Sequence, residues 1–167
     1  NTKFKNVYIA ASAGDAGGAI GAAYALYHED NERDVTKTAM EHAYLGPSYT
    51  NEQIAELIEM QSKNLPKGEF SIIKTGSLDD LTKRTATAIA EGKVIGWFQG
   101  RMEWGPRALG NRSILGDPRR TDMKEILNVK IKRRESFRPF APSILRECVS
   151  GWFEDDDEVP FMMKVFP

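Results

Sequence analysis

Apolar positions return at helical spacing in the middle of the chain. Ile54, Leu57 and Ile58 fall on one side of a 3.6-residue period, with Gln61 next in register, and predict a helix to about Asn64. Thr50 with Gln53 three residues on is a capping-box pair that fixes its start. Ser77 with Asp80 repeats the signal, and Leu81, Thr85, Ala88 and Ile89 line a second helix ending at Gly92. The unbroken apolar run VIGWFQ, Val94 to Gln99, predicts a buried strand. Shorter runs at Val7–Ala10, Phe70–Lys74 and Arg112–Leu115 also read as strands. Pro139 and Pro142 exclude a helix through FRPFAP and leave Ser143–Leu145 as an edge strand. Thr121–Val129 reads as a short helix with Met123, Ile126 and Leu127 apolar, and Cys148–Phe153 as a single helical turn.

The opening NVYIAASAGDAGGAIGAAYALYH reads as strand, Gly-rich turn and a small-residue helix through Leu26. Gly14, Gly17, Gly18 and Gly21 let the helix start lie against a phosphate, and equally let it pack closely on a strand. No GxGxxG and no Gly-Lys-Ser/Thr occurs, so neither a dinucleotide fingerprint nor a P-loop is present. Asp15 suits a metal or hydroxyl ligand, and suits a helix cap as well. His28–Thr36 is polar and unpatterned and reads as a linker, YLGPSY as a loop.

Composition changes the picture in one place. The 167 residues carry a net charge of −1, with 41% hydrophobic and 28% charged residues, ordinary for a globular protein of one domain and part of another. From Gly100 to Arg146 there are twelve Lys and Arg against five Asp and Glu, while the remainder holds eleven against nineteen. Such segregation predicts a local anion site on an acidic surface, and argues against a generally basic, nucleic-acid-coating protein. No apolar run is long enough to cross a bilayer. The chain opens without Met or a leader and is expected to begin inside a longer protein. A single cysteine, Cys148, excludes an internal disulfide and a cysteine-rich metal site, and suits a cytoplasmic location.

The basic charge concentrates in GWFQGRMEWGPRALGNRSILGDP, Gly96 to Pro118, and in NVKIKRRESFRPFAPSIL, Asn128 to Leu145. Arginines this close repel unless an anion or acidic side chains sit among them. Gly and Pro hold a tight path along which backbone N–H groups can approach a ligand. The Arg forks supply planar donors for phosphate or carboxylate. The two clusters are expected to form opposite walls of one anion pocket. Arg101, Arg107, Arg112, Lys132, Arg134 and Arg138 are the candidate cations, with Asn111 and Ser113 as neutral hydrogen-bonding groups. Glu135, beside Arg134, is expected to be an orienting salt-bridge partner and not a base. Lys130 and Arg133 are expected on the surface, Trp97 and Phe98 in the core, and the run EDDDE in solvent.

GRMEWGPRALGNRSILGDPR and KRRESFRPFAPSIL, together with AGDAGGAIGAA and LGPSYTNEQI, resemble the O-carbamoyltransferase family, which includes nodulation-factor and antibiotic carbamoyltransferases. The resemblance covers nearly the whole chain. It implies an α/β (α+β) chain: residues 1–30 ending an actin-like (Kae-like) ATPase domain, a linker at 31–49, and a YrdC-like domain over 50–167, a twisted mixed sheet with flanking helices, incomplete at its C-terminus. It implies that carbamoyl phosphate and ATP are converted to a carbamoyl-adenylate, with transfer to a hydroxyl-bearing small molecule or sugar. Arg107, Lys132 and Arg138 would serve that chemistry directly, with Arg101, Asn111, Arg112, Ser113 and Arg134 binding nucleotide or substrate. Asp15 matches the family's GDxG metal aspartate. Its co-ligands lie upstream in family members, and His28 and His42 do not replace them. Iron or magnesium is therefore expected only in a full-length protein, where the N-terminal domain of the same chain is the partner. No membrane is expected, and nucleic acid is disfavoured. The rival readings are an RNA-binding YrdC-like module and a catalytically inactive nucleotide-binding domain.

Overall fold

The computed structural model describes residues 3–5, 7–30, 40–66 and 68–165. Of the expected linker at 31–49, residues 31–39 lie outside the described residues. The architecture is mixed α/β, with several helices and a small two-stranded antiparallel sheet. The chain divides into two compact units: residues 1–46, 102–111 and 143–167, and residues 47–101 and 112–142.

In the first unit a Gly-rich turn leads into α1 (Gly17–Asp30). None of the α1 side chains is buried, and Tyr24, Leu26 and Tyr27 are exposed. Val7–Ala10 pairs with no strand among the described residues; Tyr8 is held instead through its hydroxyl, which accepts from the Met40 N–H at 2.9 Å. The core is small: Ala11, Ala43 and Phe161, with Met40 and Leu109 packed against them. Residues 143–145 form no strand and lead into a 3₁₀ helix, Arg146–Gly151, close to the helical turn expected there.

In the second unit α2 (Asn51–Ser62) starts as the sequence predicts. The Thr50 hydroxyl accepts from the Gln53 N–H at 3.3 Å, and the Gln53 carbonyl oxygen accepts from the Thr50 N–H at 2.9 Å. α3 (Leu78–Ala90) is capped by Ser77, which accepts from the Asp80 N–H at 3.1 Å. Its far end is closed by Gly92 at φ +83°, a left-handed value that glycine adopts without steric cost. Phe70–Lys74 is not a strand.

α3 packs on β1 (Ile95–Phe98), which pairs antiparallel with β2 (Arg112–Leu115): Ile95 faces Leu115, Trp97 faces Ser113 and Phe98 faces Arg112. β1 is not fully buried as its apolar run suggests. Ile95 and Trp97 are half-buried while Gly96 and Phe98 are exposed, because a two-stranded ribbon carries α3 on one side and leaves the alternate side chains outside. The helix expected over 121–129 is one α-turn, α4 (Met123–Glu125), that widens into a π-helical stretch, Ile126–Ile131, closed by Lys132 N–H donating to the Leu127 carbonyl at 2.9 Å.

Candidate functional site

The Arg/Gly stretch is shared between the units. Residues 102–111, which join β1 to β2, belong to the first, and the strands belong to the second.

In the first unit, Glu103 organises the loop. It is buried, and its Oε1 accepts from the backbone N–H groups of Leu109 at 2.7 Å and Asn111 at 2.8 Å. A carboxylate accepting two amides makes charge-assisted bonds, stronger than neutral ones, and gathers the loop around itself. The loop is tied to residues 43–46 as well. Trp104 N–H donates to the Ala43 carbonyl at 2.6 Å, Gly46 N–H to the Met102 carbonyl at 2.9 Å, and the Tyr44 hydroxyl to the Leu109 carbonyl at 3.0 Å. Gly105 sits at φ +113°, and a Cβ there would collide with the Ser12 hydroxyl. Arg107, between these anchors, is exposed. Sequence reading missed Glu103. Its signal is that it is the sole acid between Gly96 and Gly116.

In the second unit Arg112 is turned onto its own hairpin. Its Nη1 donates to the Gln99 carbonyl at 2.6 Å and its Nη2 to the Gly100 carbonyl at 3.2 Å, while the guanidinium lies 3.6 Å from the Phe98 ring centroid. Phe98 is therefore an exposed stacking surface for an arginine, not the core residue expected; the Tyr49 ring lies 6.2 Å from it between centroids, tilted by 38°. Arg101 is exposed at the end of β1, and Ser113 is half-buried. Beyond β2, the buried Asp117 accepts from Arg119 through Nε at 2.8 Å, Nη2 at 2.7 Å and the backbone N–H at 3.0 Å. The Arg119 side chain first, and its backbone amide second, hold the Asp117 carboxyl at about 2. Arg120 likewise lowers Asp122 through a paired contact at 2.7 and 2.9 Å. Arg119 and Arg120 are thus matched by acids of the same turn.

The second basic cluster forms a loop beyond the π-helical stretch. Arg134 lies 4.6 Å and Lys132 6.0 Å from the Phe140 ring centroid, so the structure brings these two cations to one aromatic ring. Glu135 is an ion-pair partner, but of Arg138 at 3.0 Å, three residues on, and not of the adjacent Arg134, whose Nε bonds Asn128. Lys130 and Arg133 are exposed, as expected. The buried Asn128, unnoticed in the sequence, sits beneath this loop. It interrupts an otherwise apolar run, ILNV, and that interruption is the signal for it.

Asp15 is exposed in the turn entering α1. His28 stacks on Tyr24 and meets Tyr27 edge to face, and His42 stacks on Tyr44. Among the described residues no group of three or more His, Cys, Asp or Glu converges. One carboxylate is too small a donor set for iron or magnesium, so the residues present do not fit a complete metal site. A hollow of about 280 Å³ in the first unit is lined by Tyr8, Ala10, Ser12, Tyr24, Met40 and Trp104, with no basic residue. No described helix is long and apolar enough to cross a membrane.

Residues 86–167 match the family model "Carbamoyltransferase C-terminus", a span that contains both basic clusters. Similar proteins include an uncharacterized protein of Synechocystis sp., 51% identical over 98% of this chain and 26% of the relative. The nodulation protein NolO of Bradyrhizobium diazoefficiens is 43% identical over 95% of this chain and 28% of the relative. The 3'-hydroxymethylcephem-O-carbamoyltransferase of Amycolatopsis lactamdurans is 32% identical over 96% and 27% respectively. The chain thus spans about a quarter of the length of these relatives. With both basic clusters inside the matched span and relatives aligned along nearly all of its length, the chain belongs to the carbamoyltransferase family and carries that family's C-terminal domain.

Proposed function

We propose that the chain is the part of an ATP-dependent O-carbamoyltransferase that activates carbamoyl phosphate for transfer to a hydroxyl. The observation that carries this reading is the carbamoyltransferase C-terminus match over 86–167, which encloses every candidate cation. A relative named as a 3'-hydroxymethylcephem-O-carbamoyltransferase supports a carbamoyl donor and a hydroxyl acceptor. Residues 50–167 would be a YrdC-like domain and residues 1–30 the end of an actin-like domain.

The chemistry suits the residues. Carbamoyl phosphate gives up its phosphate with one water to leave carbamate. A carbamate oxygen then bonds the α-phosphorus of ATP, and pyrophosphate leaves. The acceptor hydroxyl finally bonds the carbamoyl carbon, losing its proton, and AMP departs. Several negative charges gather at once, and the charge grows on the departing pyrophosphate. Arg101, Arg107, Lys132 and Arg138 are exposed cations able to meet it, and preorganised donors of this kind stabilise such developing charge. Arg112 already uses two of its donors on Gln99 and Gly100, which braces the hairpin end from which Arg101 projects. Asn111 and Ser113 would bind neutral parts of the substrates. The metal, iron or magnesium, would need ligands besides Asp15, and no step is assigned to it.

Isothermal calorimetry of ATP and carbamoyl phosphate tests this reading. Arg107→Ala should weaken binding by roughly ten- to a hundredfold, the loss of one charge-assisted contact. Arg107→Lys, which keeps the charge without the planar fork, should fall between. Equal binding by wild type and Arg107→Ala would remove Arg107 from the site. Tight RNA binding at physiological salt with none for ATP would sink the activation reading.

A further inference from the structure

We infer that Asn128 is a positioning residue for the basic loop, that Arg134 acts with it as a strut, and that Lys132 and Arg138 are the loop's anion-facing cations. This inference rests on the activation reading above.

Asn128 has no exposed surface, and no other side chain among the described residues is buried so completely. A buried carboxamide is costly unless its donors and acceptor are used. Those of Asn128 are used on one loop. Its Nδ2 donates to the Arg138 carbonyl at 2.9 Å and the Ser136 carbonyl at 3.2 Å. Its Oδ1 accepts from the Arg134 Nε at 2.7 Å, and its backbone carbonyl accepts from the Arg134 N–H at 2.9 Å. One side chain on the π-helical stretch therefore fixes the backbone on both sides of Phe137. Arg133 stands at φ +49°, a left-handed value that few non-glycine residues hold. That turn brings Arg134 back over Asn128. Strained backbone and π-turns recur where a loop must present side chains in one arrangement.

The same geometry divides the cations. Arg134 is half-buried, its Nε bound to Asn128, its Nη2 3.4 Å from the Pro139 carbonyl and its plane near Phe140. Two of its donors, Nε and Nη2, are spent on the protein. Lys132 is exposed near the same ring, and Arg138 is exposed and ion-paired with Glu135, which is exposed as well. An exposed pair is weak enough for an incoming phosphate to displace. Lys132, Arg133, Arg134 and Arg138 would repel one another in a free loop. A neutral buried amide restrains them without adding a charge that would compete with the substrate.

The test measures pyrophosphate and carbamoyl phosphate binding by calorimetry on the whole protein, below each variant's melting temperature. Asn128→Asp keeps the acceptor for Arg134 but turns an oxygen toward the two carbonyls. Arg134→Lys keeps the charge but lacks the Nε–H donor. Each should weaken binding roughly tenfold, since small displacements of positioned groups cost that much or more. The double variant should be about as weak as either single one, because both break the same strut. Arg138→Ala should weaken binding by itself, and Leu127→Ala, which opens the packing beside Asn128, should lower the melting temperature with affinity retained. If Asn128→Asp does not fold, Arg134→Lys decides alone. Wild-type affinity in Asn128→Asp and Arg134→Lys beside a weakened Arg138→Ala would overturn the positioning role and leave the activation reading standing. Strictly additive losses would make Arg134 a direct ligand and overturn the strut. No binding of either anion by the wild type would overturn both.

Discussion

Replacing Glu103 separates two accounts of the 102–111 loop, one in which the carboxylate builds it and one in which glycines and prolines suffice. Glu103 Oε1 accepts two backbone N–H bonds at 2.7 and 2.8 Å and the residue is 7% exposed, so water does not readily replace it. Glu103→Gln keeps an acceptor oxygen and removes the charge. Charge-assisted bonds contribute about 1.5–3 kcal/mol each against about 0.5–1.5 for neutral ones, so the change should cost about 1–3 kcal/mol in total. Glu103→Ala leaves the Leu109 and Asn111 amides without this acceptor, at about 1–3 kcal/mol each, and should cost about 2–6 kcal/mol. In a chain of this size each kcal/mol lowers Tm by about 2–4 °C. Denaturant melts give the energies, and amide hydrogen exchange locates them. Leu109 and Asn111 should be protected in the wild type, partly protected in Glu103→Gln and open in Glu103→Ala. Equal stability of the Gln and Ala variants, or wild-type exchange at both amides in Glu103→Ala, would refute the reasoning.

Three further outcomes follow from single contacts. Asp117 is held at about 2, below its usual value, so its contribution is fully present above about 4 and is lost as pH falls toward 2; Asp117→Asn should be less stable at pH 7 and show a flatter acid melt between pH 4 and 2, and a parallel pair of acid melts would contradict it. Thr50→Ala should cost about 1 kcal/mol by removing the α2 cap, with Thr50→Ser close to wild type in urea melts. Gly105→Ala should destabilise by about 1–3 kcal/mol, since an alanine must hold φ +113° and its Cβ meets the Ser12 hydroxyl; a neutral Gly105→Ala melt would mean that the loop moves freely.

Local signals were legible in the sequence, and signals that depend on distant partners were not. The capping box at Thr50 and Gln53, the cap at Ser77 and the stop at Gly92 each involve residues within a few positions of one another, and each is found in the structure. β2 was found at its expected place because its partner β1 is separated from it by a single loop. Val7–Ala10, Phe70–Lys74 and 143–145 have strand-like composition, but a strand needs a neighbouring backbone, and the described residues provide none. Phe98 reads as core from hydropathy and is instead exposed beneath Arg112, since strand alternation and not hydropathy decides which side a residue takes. In the basic clusters the sequence located the cations but not what holds them. Glu103, Asp117 and Asn128 are buried polar residues, and their value comes from partners that periodicity does not reveal.

The most direct test of carbamoyl phosphate activation is pyrophosphate release by the whole protein, measured with ATP alone, carbamoyl phosphate alone and both together. The account predicts release only when both are present, a strong loss of release in Arg138→Ala, and retention of release in Asp15→Ala while carbamoyl transfer to a hydroxyl acceptor is abolished. Pyrophosphate release that ignores carbamoyl phosphate, or that Asp15→Ala stops as completely as transfer, would contradict it.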